Sequence, residues 1–313
     1  MEMFAKIDDG SLDFDNFAAG AGNFSWVGVA GDEIPAKDLL VTGGNAGVDK
    51  VNSDADDLAI GNQWIDAAKL GSRGNFTPAE TIRLDFVDLG INANTSDRTL
   101  DSIDDILNPV IHYDVNNVGF TVMQTRARNP VDVRITAVDE TSDIGGTDIA
   151  TDLTTSPAEI DEIISVTIIT NSMTDPAGTT YLRSEATEEE VAGVTRLVSR
   201  DSSDALLILW DDDVNVDSVG EGYVIVYDLE GATPNLPHLR DRVFVATDDG
   251  FNRLEISNAE AVNSNHAFAI GDVEVPAVGQ EIDLAFNGEI VDGDGDANSI
   301  GLIGVTVTPE VVV

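Results

Sequence analysis

The 313-residue chain has no cysteine, only three histidines and only four lysines. Without thiols it can form no disulfide, no thiolate metal site and no cysteine nucleophile. His112, His238 and His266 lie in three separate contexts without two- or four-residue spacing, so no histidine-based metal site is expected. A Gly-x-Ser-x-Gly elbow is missing, and Gly43-Gly44-Asn45-Ala46-Gly47 lacks the Lys-Ser/Thr that completes a phosphate loop. Three Trp and four Tyr are too few for the aromatic platforms of a sugar-cleaving site. No apolar run reaches the roughly eighteen residues that would cross a membrane. The segment from Met1 to Asp9 has neither a basic start nor an apolar stretch, so general-route secretion is not expected. Basic residues form no stripe: Arg126 and Arg128 with Arg134 read as cross-strand partners of carboxylates. Neither sequence-specific nucleic acid binding nor a sequence-independent grip is expected, because phosphate contacts need clustered Lys and Arg.

What the chain has in excess is acid. Fifty-eight Asp and Glu against sixteen Lys and Arg give a formal charge of −42, while 42% of residues are hydrophobic. A disordered acidic chain would lack the apolar residues needed to offset ordering entropy, whereas this one keeps runs such as Ala205 to Trp210 and Gly301 to Val307. A folded core under an acidic shell points to an extreme halophile. At about 1 M salt the Debye length falls to roughly 3 Å, which screens the self-repulsion. The scarcity of lysine beside twelve arginines agrees with such a surface.

Alternating and β-branched runs predict strands at 81–87, 109–115, 118–125, 131–138, 163–170, 205–210, 222–228, 242–247, 253–257, 266–270, 281–286 and 300–308. Turn signals stand at Asp248-Asp249-Gly250, Asn287-Gly288 and Asp292 to Gly295. Strands about every ten residues predict a mainly β fold: antiparallel sandwich or jelly-roll-like domains. Short helices are expected at 99–107, which stops before Pro109, from Ser184 towards Val198, and at Ser156 to Glu159. Three parts are expected: an extended N-terminal arm at 1–50, a β-rich domain with short helices at 51–200, and a β-sandwich domain at 201–313. Phe4, Phe14, Phe17, Phe24 and Trp26 suggest that the arm becomes ordered on a neighbouring subunit, so that deleting residues 1–30 would leave a soluble subunit unable to polymerise; the competing reading is an arm packed on its own domain.

Among ligands, calcium is the most defensible. Asp292, Asp294, Asp296 and Asn298 put oxygen donors at alternate positions around two glycines, although Ala297 and Ile303 stand where an EF-hand wants Gly and Glu. The competing reading is a solvated acidic loop between strands. Asp211 to Asp217 is a weaker candidate of the same kind. No cofactor is required, and structural cations are the alternative.

Extended arms and large β domains build virion shells and tail tubes by repeating one subunit. Composition and architecture together resemble structural proteins from viruses of haloarchaea. This resemblance implies a non-enzymatic, self-assembling tail-tube, capsid, turret or decoration subunit, partnered by itself and by other virion proteins and located in the virion. Residues Val198 to Leu207, Phe120 to Val133 and Val278 to Leu284 are similar to segments of haloarchaeal secreted jelly-roll proteins related to the biofilm-fibre protein TasA. That resemblance implies the alternative, an extracellular filament subunit that donates a strand to the next copy. A calcium-binding hydrolase is a minor third reading.

Overall fold

Alternation along the strands decides which residues share a face. The computed structural model describes residues 12–14, 17, 23–30, 37–44, 50–54, 57–60, 64–67, 79–88, 95–97, 111–126, 129–140, 159–170, 178–191, 193–202, 204–210, 222–232, 240–261, 266–276, 282–291 and 297–307. Among them the chain is almost all strand. Two units are distinguished, Leu12–Val275 and a second that contains Pro276–Val313.

The first unit holds two antiparallel sheets. Sheet A runs β15 (Thr179–Leu182), β14 (Ile163–Ile169), β20 (Arg242–Phe251), β11 (Val115–Thr125), β22 (Ala267–Val275), β6 (Asp57–Ile60), β5 (Val51–Asp54) and β2 (Asn23–Phe24), with β1 (Leu12–Phe14) and β7 (Ile65–Asp66) also on β22. Sheet B runs β16 (Thr187–Val191), β17 (Val194–Arg200), β18 (Leu206–Trp210), β19 (Tyr223–Leu229), β12 (Val131–Val138), β21 (Arg253–Asn258), β8 (Thr81–Asp88), β4 (Asp38–Gly43), β3 (Trp26–Val29) and β9 (Thr95–Asp97). Two short strands complete it: β10 (Ile111–His112) pairs β8, and β13 (Ile160–Asp161) pairs β12.

The inner faces meet in one apolar cluster. Phe120, Val122, Val166 and Val245 from sheet A share it with Leu84, Phe86, Ile135 and Ile256 from sheet B. Phe86 packs edge-on against Phe251 of the opposite sheet at 6.2 Å between centroids. Such aromatic pairs add about 0.5–1.5 kcal/mol beyond their burial. The expected mainly β, sandwich-like fold is therefore present.

Several expectations are revised. The segment expected as an arm supplies β1 to β4, and Phe14, Phe17 and Trp26 are fully buried. These aromatics find their apolar surroundings in their own chain; residues 1–11 lie outside the described residues. The expected boundary at residue 200 falls inside the β17–β18 hairpin, where Arg200 is in register with Leu206. From Ser184 onward a single 3-10 turn at Arg183–Glu185 gives way to β16. Pairing with β17 in unbroken register, Thr187 opposite Val198 through Val191 opposite Val194, overrides the local helical signal. The proposed helix at 99–107 lies outside the described residues, as does all of 156–159 except Glu159, in a 3-10 turn.

The second unit's described part is one antiparallel hairpin, β23 (Ile282–Val291) with β24 (Ala297–Val307). Asn287-Gly288, read as a turn, lies within β23, and the register shifts between Gly288 and Glu289. The Asn-Gly signal thus marks an irregularity in the ladder rather than the end of a strand.

Candidate functional site

Between β20 in sheet A and β21 in sheet B the chain crosses through a single residue, Asn252. The approach is shaped by Gly250 at φ +91°, a left-handed conformation that glycine adopts without steric cost. Asn252 is 3% exposed and fully used. Its N–H donates to the Val138 carbonyl at 3.1 Å and its carbonyl accepts from the Phe86 N–H at 2.8 Å. Its Oδ1 accepts from the Glu140 N–H at 2.8 Å, while Nδ2 donates to Asp139 Oδ1 and to the Glu140 carbonyl, both at 3.0 Å. A buried amide with every donor and acceptor satisfied fixes the corner.

Beside it, on the face of sheet B away from the Leu84 and Phe86 side chains, sits a buried ion group. Arg253 is fully buried and donates from Nε to Asp85 Oδ1 at 2.5 Å and from Nη1 to Glu140 Oε2 at 2.8 Å. His112 Nε2 lies 3.6 Å from Asp85 Oδ1, and Arg83 pairs with Glu255 at 2.8 Å. Burial pushes the Asp85 carboxyl up, but Arg253 and His112 together outweigh it and bring it down to about 2. Arg253 and Asp85 are closed to solvent, so no substrate atom can reach them.

A second carboxylate set surrounds the same corner. Asp114 precedes β11, Asp139 follows β12, Asp161 ends β13 and Asp249 lies on β20. Partial burial, then Asp139, Asp249 and Asp114, raise the Asp161 carboxyl to about 6. The Asp139 carboxyl is raised by burial first, then by Asp114 and Glu159. A set of this kind holds a proton near neutral pH or gathers counterions. Among the described residues no group of three or more His, Asp or Glu has metal-binding geometry.

Of the residues expected to bind calcium, Asn298 alone is among the described residues. Asp292, Asp294 and Asp296 lie outside the described residues, as does Asp211 to Asp217, and Asn298 takes its place in β24 opposite Ile290. His112 and His266 stand apart: His266 bridges Glu260 at 2.7 Å and Asn129 at 3.1 Å, without a nucleophile in the network. His238 lies outside the described residues. Arg126 sits 3.6 Å from Asp66, and the Arg134 guanidinium covers the Tyr223 ring at 3.8 Å.

Where the outer strands β15 and β16 approach each other, a cavity of about 280 Å³ is lined by residues including Tyr181, Leu182, Val198 and Arg200. Arg200 is held by the Glu189 carboxylate, with Nη2 to Oε2 at 2.6 Å. Sequence reasoning missed both this cavity and the Asn252 corner. The available signal for the corner was Asp248-Asp249-Gly250, read as a turn although it belongs to β20. No known protein family, curated protein or solved structure matches the chain.

Proposed function

We propose that this chain is a non-enzymatic, self-assembling structural subunit of an extreme-halophile system, a component of a haloarchaeal virion. One observation carries the reading: a complete two-sheet core lies beneath a shell with a net charge of −42, and among the described residues both sheets end in open strands, β15 and β2 in sheet A, β16 and β9 in sheet B. An open sandwich keeps edges and outer faces for neighbours, as a closed barrel does not. The carboxylate-rich corner adds support for a saline medium, since Asp161 and Asp139 are crowded by like charges that molar salt screens.

A second reading, an extracellular filament subunit extended by strand donation, is favoured by the open edge strand β15 and the cavity beside it. Negative-stain microscopy of the full chain in molar KCl separates the readings. Tubes or shells are expected for a virion subunit and thin fibres for the alternative. Discrete monomers at every protein concentration would overturn both.

A further inference from the structure

Outward-facing positions of an acidic protein should be acidic, and one face of this one is not. Sheet register sets out three rows across β15, β14, β20 and β11. The first row is Leu182, Ser165, Ala246 and Asn117. Thr180, Thr167, Phe244 and Gly119 form the second, and Ile169, Arg242 and Thr121 the third. Their alternates Val166, Ile168, Val243, Val245, Val118 and Phe120 belong to the inner cluster, so these rows lie on the outer face of sheet A, where Gly119 and Thr121 are buried and the other nine are partly exposed. Eleven positions hold one charge, Arg242, and no carboxylate, in a chain where nearly one residue in five is Asp or Glu. That single charge is already matched, because Arg242 pairs with Glu274 at the border on β22 and lies 5.2 Å from the Phe244 ring centroid. Thr167 and Thr180 bond each other at 2.8 Å. Elsewhere on the outer strands the expected acid returns, as with exposed Glu188 and Glu190 on β16.

We infer that this face is the centre of the contact between copies of this chain; the inference deepens the proposed self-assembly and rests on it. The occupant follows from charge. A basic partner would be drawn to the acidic remainder of the surface, not to its neutral part. Another copy, itself at −42, can approach closely only where carboxylates are absent from both sides. Depletion of charge with retention of an aromatic and of arginine is the composition of an interface centre. Strand spacings make the four-strand patch roughly 15 Å by 15 Å, below the roughly 800 Å² per partner of a standard interface. It is therefore the centre, with a polar rim around it.

The test is sedimentation of the full chain in molar KCl, with Thr167→Glu/Thr180→Glu set against Thr195→Glu, an exposed position on β17, which is paired on both sides. Wild type and the β17 control are expected to assemble, while the double variant sediments as monomer with unchanged circular dichroism. As a second arm, Thr167→Cys introduces the chain's sole thiol, so any disulfide formed on oxidation joins two copies; dimers are expected there and not from Thr195→Cys. A monomeric wild type overturns the proposed function itself. If wild type assembles, this face is excluded by unchanged assembly of the double variant, with or without a lower melting temperature, or by absence of Thr167→Cys dimers.

Discussion

Asp161 shows what a crowded acidic protein asks of a single side chain. Its carboxyl is raised to about 6 by partial burial and by Asp139, Asp249 and Asp114, so the folded state binds its proton more tightly than the unfolded chain does. A raised acid stabilises the fold below the unfolded value near 4, and that contribution disappears as pH climbs through 6. Asp85 has the opposite sign. Held at about 2 despite complete burial, it stabilises above the unfolded value and loses that effect as pH falls from about 4 to 2. Replacing Asp161 with Asn removes the like-charge contacts. At pH 8 Asp161→Asn should melt higher than wild type, and the gain should shrink between pH 7 and 5 as the wild-type carboxyl takes up its proton. Thermal scans at several pH values would show it; a gain independent of pH would mean that charge is not the cause.

Among the elements, β11 and β20 show how one small residue sets a register. A Cβ added at Gly119 would fall 2.3 Å from the Phe244 ring, because that ring lies across the outer face of β11 opposite the glycine. Overpacking of this kind costs about 1–3 kcal/mol. Gly119→Ala is expected to lower the melting temperature by several degrees in molar salt, with sheet content unchanged by circular dichroism. An unaltered melting temperature would show that the ring moves aside freely. About half of the described strands could be read from alternation, and the short strands β1 to β7 were not among them. Residues 131–138 match β12 as predicted, and β8, β18, β21 and β24 differ from their predicted ends by a few residues at most. What failed was chemistry that local sequence does not encode. Three glutamates in a row suggest a helix start, yet β16 exists because β17 pairs with it. Gly250 suggests a turn, yet the chain changes sheets at Asn252, whose partners Val138, Asp139 and Glu140 are more than a hundred residues away in sequence. The aromatics of residues 12–30 signal a need for burial, and Phe14, Phe17 and Trp26 meet it within their own chain rather than on a neighbour. Removing residues 1–30 would take Leu12, Phe14, Phe17 and Trp26 out of the core, and so cannot isolate an assembly defect.

For the whole molecule the governing quantity is the spacing of charge. A net −42 over 16776 Å² of surface leaves about one uncompensated charge per 400 Å², a mean separation on the order of 20 Å. At 0.01 M salt the screening length is about 30 Å and the whole shell repels itself; at 0.1 M it is about 10 Å and distant charges are already muted. Crowded groups such as Asp114, Asp139 and Asp161 keep repelling until the length approaches about 3 Å near 1 M. The melting temperature should therefore climb with the logarithm of ionic strength from 0.01 to 1 M, with strand signal lost first at the dilute end. Screening must be told apart from the general tightening that excluded solutes give any folded chain. Sucrose in dilute buffer excludes itself from the surface without screening, whereas KCl screens. The expected result is that KCl restores the circular dichroism of the sheets and sucrose does not; equal rescue by sucrose would remove charge repulsion as the cause of unfolding in dilute buffer.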